Sequence, residues 1–220
     1  MATVTQPQPA AKLIPSSSGV VFGGVSWADY EAMLKIVGDR PIRVTYDRGT
    51  MEVSMPSFGH EDDAHLLGRI VDTLADQGDI PVKSGRTTTH KRKDLDRGTE
   101  PDQCYWFREN ARKMVGKRQL DLSVDPPPDL IIEVDVASNS LKRLPLFAAM
   151  GVSEVWRLAE CSLEFLHLQP DRTYQVSELS RNFPTVAATE VSRFLEEGRS
   201  VEETAWVRSF RAYVQQIAKP

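Results

Sequence analysis

The stretch Pro126-Pro127-Pro128-Asp129-Leu130-Ile131-Ile132-Glu133-Val134-Asp135-Val136 places ionisable side chains inside a dense run of β-branched and aliphatic residues. Such a run reads as a strand covered on both faces, where carboxylates are rare unless paired or bound to a metal. Residues two apart on a strand share a face, so Glu133 and Asp135 project side by side, with Asp129 on that face at the strand's start. This outlines a cation-binding arrangement; an edge strand with solvated acids is the plainer alternative. A second acid follows a proline at Pro101-Asp102 and opens the strand-forming segment Asp102-Gln103-Cys104-Tyr105-Trp106-Phe107. Asp102, Asp129 and Glu133, with a following basic residue, suit metal-assisted phosphodiester cleavage. Oxygen ligands fit Mg²⁺, or Mn²⁺ in its place. The ion would polarise a phosphoryl oxygen, and a nearby side-chain cation would offset charge growing in the transition state.

The elements that must position these groups can be read from periodicity. Ser26 is a candidate N-cap, with Asp29 three residues on and Trp27, Tyr30, Met33, Leu34 and Val37 at helical spacing. Residues 42–46 and 50–55 alternate around Asp47-Arg48-Gly49 and predict a hairpin. Over 60–77 the period changes, and Ala64, Leu67, Ile70, Val71, Leu74 and Ala75 line one helical stripe. Its acids Glu61, Asp62 and Asp63 sit in the first turn, where the helix dipole favours anions. Strands are expected at 80–84 and 85–90, then a polar excursion over 91–99. After the central strand, Ser138-Asn139-Ser140 offers caps for a helix over 141–150, closed by Gly151 and constrained by Pro145. Strands at 153–158, 162–168 and 173–178 and helices at 189–196 and 201–218 complete the chain. The whole predicts an α/β fold.

A chain of 220 residues with charged and hydrophobic fractions near the globular average predicts a single domain over 20–220. Residues 1–19, rich in Gln, Pro, Ala and Ser, read as a disordered leader rather than a secretory signal. No apolar run is long enough to span a bilayer, and Cys104 and Cys161 show no CxxC spacing, so a cytoplasmic, reducing location without structural zinc is expected. A net charge of −4 gives no long-range attraction for nucleic acid. DNA contacts must then come from local runs: Lys91, Arg92 and Lys93, Arg112 and Lys113, and Lys142 beside Arg143. Most such runs are simply solvated faces.

Three phrases carry a family resemblance. They are Arg97-Gly98-Thr99-Glu100-Pro101-Asp102-Gln103-Cys104-Tyr105, then Leu120-Asp121-Leu122 through Pro128 to Asp135, then Phe147-Ala148-Ala149-Met150-Gly151-Val152-Ser153-Glu154-Val155-Trp156-Arg157. Over about 26–184 the chain resembles the Uma2-like (DUF820) family of the PD-(D/E)XK nuclease superfamily. The resemblance implies a restriction-endonuclease-like central mixed sheet flanked by helices, here preceded by a helix and a hairpin, and a metal-dependent DNA endonuclease. Carried over by position, it assigns the strand acids to Asp102 and Glu133, the helix acid to Glu61, and the relocated lysine to Arg143. Asp135 stands where the superfamily's original lysine would be. Cleaving both strands takes two active sites, so a homodimer is the default by symmetry. The rival readings are a nuclease fold that binds DNA or regulates without cleaving, and a protein whose acids only pair with nearby arginines.

Overall fold

The computed structural model describes residues 12–14, 19–135, 142–159 and 162–217. Two six-stranded sheets organise the chain. The first, entirely antiparallel, is built from β1 (Lys12–Ile14), β2 (Gly19–Gly23), β3 (Arg43–Asp47), β4 (Thr50–Ser54), β6 (His90–Arg92) and β7 (Arg97–Thr99), in the order β1-β2-β4-β3-β7-β6. The second contains β5 (Val82–Ser84), β8 (Gln103–Phe107), β9 (Leu130–Asp135), β10 (Glu154–Ala159), β11 (Ser162–Leu168) and β12 (Tyr174–Ser177), in the order β12-β11-β10-β9-β8-β5. It is the mixed sheet: β9 and β10 run parallel and their neighbours antiparallel.

The first sheet grows from the predicted hairpin. Register pairs Asp47 with Thr50, leaving Arg48-Gly49 as a two-residue turn with φ of 45° and 90°, the positive-φ pair that matches strand twist. Helix α1 (Trp27–Val37) has the anticipated capping box on Ser26 and Asp29 and packs Tyr30 and Val37 on Val44, Tyr46 and Met51. Expectation and structure part over 85–99. The predicted strand at 85–90 is mostly turn, and the polar excursion is a hairpin, β6 and β7 around a 3₁₀ turn at Lys93–Leu95, that joins the first sheet. The polar side chains hid the strand period. The expected leader likewise contributes an edge strand, β1; its residues 1–11 and 15–18 lie outside the described residues.

Helices cover both faces of the mixed sheet. On one, α2 (Phe58–Gln77), α5 (Ala188–Gly198) and α6 (Glu203–Ile217) bury Leu67, Ile70, Val191, Phe194 and Phe210 on Leu130, Ile132, Trp156 and Phe165. On the other, Ala111 of α3 (Arg108–Lys113) and Phe147 of α4 (Leu144–Met150) pack on Cys104, Trp106, Ile131 and Val155. Helix α4 begins at Leu144 rather than at 141, because Pro145 has no N–H to donate and fits only a first turn. The proposed caps 138–140 lie outside the described residues.

His90 is wholly buried beside Trp106, and neither ring nitrogen has a hydrogen-bond partner among the described residues. Burial pushes its pKa down to about 3. The unfolded chain therefore binds a proton below about pH 6.5 that the folded one refuses, and stability falls as pH drops through that window. Between pH 7 and pH 5 this group should remove about 2 kcal/mol. Urea unfolding should show that much of the pH dependence missing from His90→Phe; identical slopes for the two proteins would refute the assignment.

Candidate active site

Between β7 and β8 the chain crosses from the first sheet to the second through Glu100-Pro101-Asp102. Glu100 fixes the crossing, accepting hydrogen bonds from Val44 N at 3.1 Å and Thr89 Oγ1 at 2.8 Å. The pairing Gln103↔Ile132 continues one step to set Asp102 opposite Glu133 on the same face of the mixed sheet. Both acids are buried, at 1% and 2% exposure. Asp102 Oδ2 accepts from Val134 N at 2.8 Å and lies 3.2 Å from His60 Nε2. Glu133 Oε1 pairs with Arg143 Nη1. The remaining oxygens, Asp102 Oδ1 and Glu133 Oε2, are buried without a hydrogen-bond partner among the described residues.

The first turn of α2, capped by Ser57, brings His60 and Glu61 to these acids. From β3 of the first sheet, Arg43 reaches across. Its Nη2 is 2.8 Å from Glu61 Oε1 and 3.7 Å from Asp102 Oδ1, and its Nη1 donates to Pro101 O at 3.2 Å. On β10, Arg157 is the register partner of Glu133, and its Nε donates to Asp135 Oδ2 at 2.8 Å.

The electrostatics separate the two central acids. Complete burial pushes Glu133 up to about 8, aided by the charge of Asp102 and opposed by Arg143. Burial also works against ionised Asp102, but the hydrogen bond and charge of His60, the charge of Arg143 and the Val134 N–H outweigh it, and its pKa ends below the usual carboxylate range. Burial works against protonated His60 too; Asp102, Glu133 and Glu61 overcome it and hold the imidazole above its ordinary value. Neighbouring titratable groups pushed apart in this way typify acid–base and ion-binding sites.

Of the residues singled out from sequence, Asp102, Glu133, Glu61 and Arg143 converge. Asp129 does not. It lies four residues from Glu133, about 13 Å along an extended strand, and its carboxylate accepts from Phe107 N at 2.7 Å and Asn110 Nδ2 at 2.8 Å. It ties the end of β8 to α3 instead of joining the cluster. The basic residues scatter. Arg92 is bound to Asp94 and donates to Leu122 O, and Lys91 is 3.5 Å from Glu31. Arg112, 3.5 Å from Glu109, and exposed Lys113 sit on α3, beyond the far end of β8 from Asp102. Lys93 is exposed on the 3₁₀ turn, and Lys142 is exposed beside Arg143. Sequence reasoning missed Arg43 and Arg157, which come from strands remote in the chain, and gave His60 no role. A histidine directly before a first-turn acid was the available signal.

Two buried oxygens without hydrogen-bond partners among the described residues are what a hard divalent cation would use, since Mg²⁺ takes one or two carboxylates and completes its shell with water and substrate oxygens. Asp102 and Glu133 fit that pattern as a pair. Among the described residues no group of three or more His, Cys, Asp or Glu side chains is arranged to hold an ion.

Removing Arg143 alone leaves Glu133 enclosed and unpaired. Arg143→Met should therefore cost about 3 kcal/mol, and much less when Glu133→Gln is already present. A double-mutant cycle by urea unfolding in which the two costs simply add would show that the pair is not coupled.

Residues 27–201 match the family model Uma2, described as "Putative restriction endonuclease". A solved structure from Anabaena variabilis ATCC 29413, described as a "putative nuclease belonging to DUF820", is similar in fold, with a TM-score of 0.55 and 13% identity over 76% of this chain and 98% of that one. No curated protein matches the chain significantly. No helix among the described residues is long and apolar enough to cross a membrane.

Proposed function

Since the chain belongs to the Uma2 family, we propose that it is a metal-dependent endonuclease that hydrolyses phosphodiester bonds in DNA at the Asp102–Glu133 site. The observation that carries this reading is the pair of buried carboxylates facing each other on adjacent strands, each with one oxygen left without a hydrogen-bond partner among the described residues. A buried polar atom without a partner costs about 1–3 kcal/mol, which a ligand at that point would recover. Asp102 and Glu133 would hold Mg²⁺ or Mn²⁺, which supplies Lewis acidity toward a phosphoryl oxygen.

The protein's own groups do the rest. Arg43 keeps Glu61 turned toward Asp102, so Glu61, half-exposed at the rim, faces incoming substrate. His60 hydrogen-bonds Asp102 through Nε2, while its buried Nδ1, without a hydrogen-bond partner among the described residues, lies 3.9 Å from Glu61 Oε1. Its raised pKa lets it carry a proton to or from the site near neutral pH. Arg143 cannot serve as a base; released from Glu133, its planar fork would clamp the scissile phosphate and stabilise the developing charge. Lys142 beside it, with Lys93 and Lys113 further off, would neutralise flanking phosphates. Two copies would be needed to cut both strands at one place.

Incubation with plasmid and single-stranded DNA should give metal-dependent cleavage, lost by at least about 100-fold in Asp102→Asn and Glu133→Gln. Arg143→Ala should fall as far and Arg143→Lys retain part. Intact substrate with both Mg²⁺ and Mn²⁺ would sink the enzymatic reading. Duplex binding without metal or cleavage would then favour a DNA-binding module, which the acid at position 135 is the one feature to recommend.

A further inference from the structure

The antiparallel and parallel registers align one residue from each of four adjacent strands on the face that carries the site: Asp102, Glu133, Arg157 and Glu164. Neighbouring strands lie about 4.8 Å apart, so the backbone of Arg157 is about 5 Å from that of Glu133 and about 10 Å from that of Asp102. One step further along β9, Asp135 turns its carboxylate to Arg157 and takes Nε at 2.8 Å. That is the guanidinium's only hydrogen bond to the described residues, since Glu164 Oε2 stands 3.8 Å from Nη1, outside bonding distance. Arg157 is one-third exposed and Asp135 one-quarter, so the pair borders solvent where Glu133 does not.

We propose that Arg157 is a second phosphate-binding cation of this site, and that Asp135 is its positioning residue. A carboxylate beside the two central acids would by itself repel a phosphodiester. Asp135 instead engages Nε on one side, with Glu164 Oε2 3.8 Å from Nη1 on the other, and together Asp135 and Glu164 hold the guanidinium in place beside Glu133. Arginine carries five donors in a rigid fork, and with its one hydrogen bond to the described residues made through Nε the Nη2 donors stay available to a phosphate oxygen. Arg143 approaches the acids from the start of α4 and Arg157 from the sheet, so a phosphate above Asp102 and Glu133 would meet a guanidinium on two sides. The inference rests on the nuclease reading for its substrate class, but phosphate contact can be measured without catalysis.

Binding of a short fluorescein-labelled duplex, measured without metal over a range of NaCl concentrations, should lose about one unit of slope in log K against log salt in Arg157→Ala and keep it in Arg157→Lys. In single-turnover cleavage with Mn²⁺, Arg157→Ala should be slower by about 100-fold. Asp135→Asn should retain the salt slope yet lose rate, and the double variant should be no slower than Arg157→Ala. An unchanged salt slope in Arg157→Ala, with or without a drop in melting temperature, overturns the proposal, because a purely structural pair makes no phosphate contact. If Arg157→Ala does not fold, Arg157→Met, which keeps the aliphatic stem, is read the same way. A lower slope in a protein whose wild type never cleaves upholds the phosphate contact and rejects the nuclease reading instead.

Discussion

Glu133 is enclosed in the middle of a parallel strand pair, and the arrangement around it follows from keeping that carboxylate tolerable there. Its charge is opposed by desolvation and by Asp102 and supported by Arg143. A buried ion pair of this kind contributes little net stability over an apolar pair of the same size, whereas breaking it is costly. The pair therefore constrains more than it stabilises. It fixes where the chain must return after β9, since Arg143 stands at the N-cap of α4 and Pro145 must lie in the first turn of that helix. The same β-α-β passage lets β10 lie parallel to β9 and delivers Arg157 beside Glu133.

The second constraint is the joint between the sheets. Asp102 belongs by register to the mixed sheet, but its surroundings come from the antiparallel one: Arg43 on β3 contacts both Asp102 and Pro101, and the Glu100 carboxylate is held by the backbone of Val44. At Gly98 the close approach of Tyr30 leaves no room for a Cβ, so α1 can press directly on the strand leading into the crossing. The first sheet thus acts as the wall that sets the angle of Asp102. The aromatic cluster of Trp27 and Tyr30 on α1 and Tyr46 on β3 gives that wall its stiffness.

Much of this was legible in the residues. The Ser26 capping box, the Arg48-Gly49 turn, the apolar stripe of α2 and the acid-bearing central strand depend on local chemistry, and all appear in the structure. The positions that the family resemblance singles out, Asp102, Glu133, Glu61 and Arg143, lie near one another in the structure, although the distance between them in sequence is closed only by folding. What could not be read is non-local or disguised. The β6–β7 hairpin is polar because one strand lies at a sheet edge, so hydrophobic period gave no sign of it. Asp129 shares the strand face of Glu133 but is spent on Phe107 and Asn110, a partnership set by how α3 leaves β8. Face and spacing identify which side chains could meet; the competing hydrogen bonds decide which do.

The arginine at position 143 answers the same desolvation that moves Glu133. Burial pushes the Glu133 carboxyl up to about 8 and works against a cation at position 143 as well, because it disfavours the charged form of either group; there Glu133 and Asp102 outweigh it and hold the guanidinium above its ordinary value. A lysine at this depth would draw on the same two carboxylates and stay protonated, the more so as Glu133 ionises with rising pH. What it would lose is the plane: arginine's charge is spread over a fork that can serve a carboxylate and then a phosphate with the same two donors. Exchanging it for lysine is therefore a change in geometry rather than in pH dependence. Arg143→Lys should cleave more slowly than the wild type, with a pH–rate profile parallel to it; activity that falls away in Arg143→Lys alone as pH rises through neutrality would show that the two carboxylates do not hold a lysine charged here.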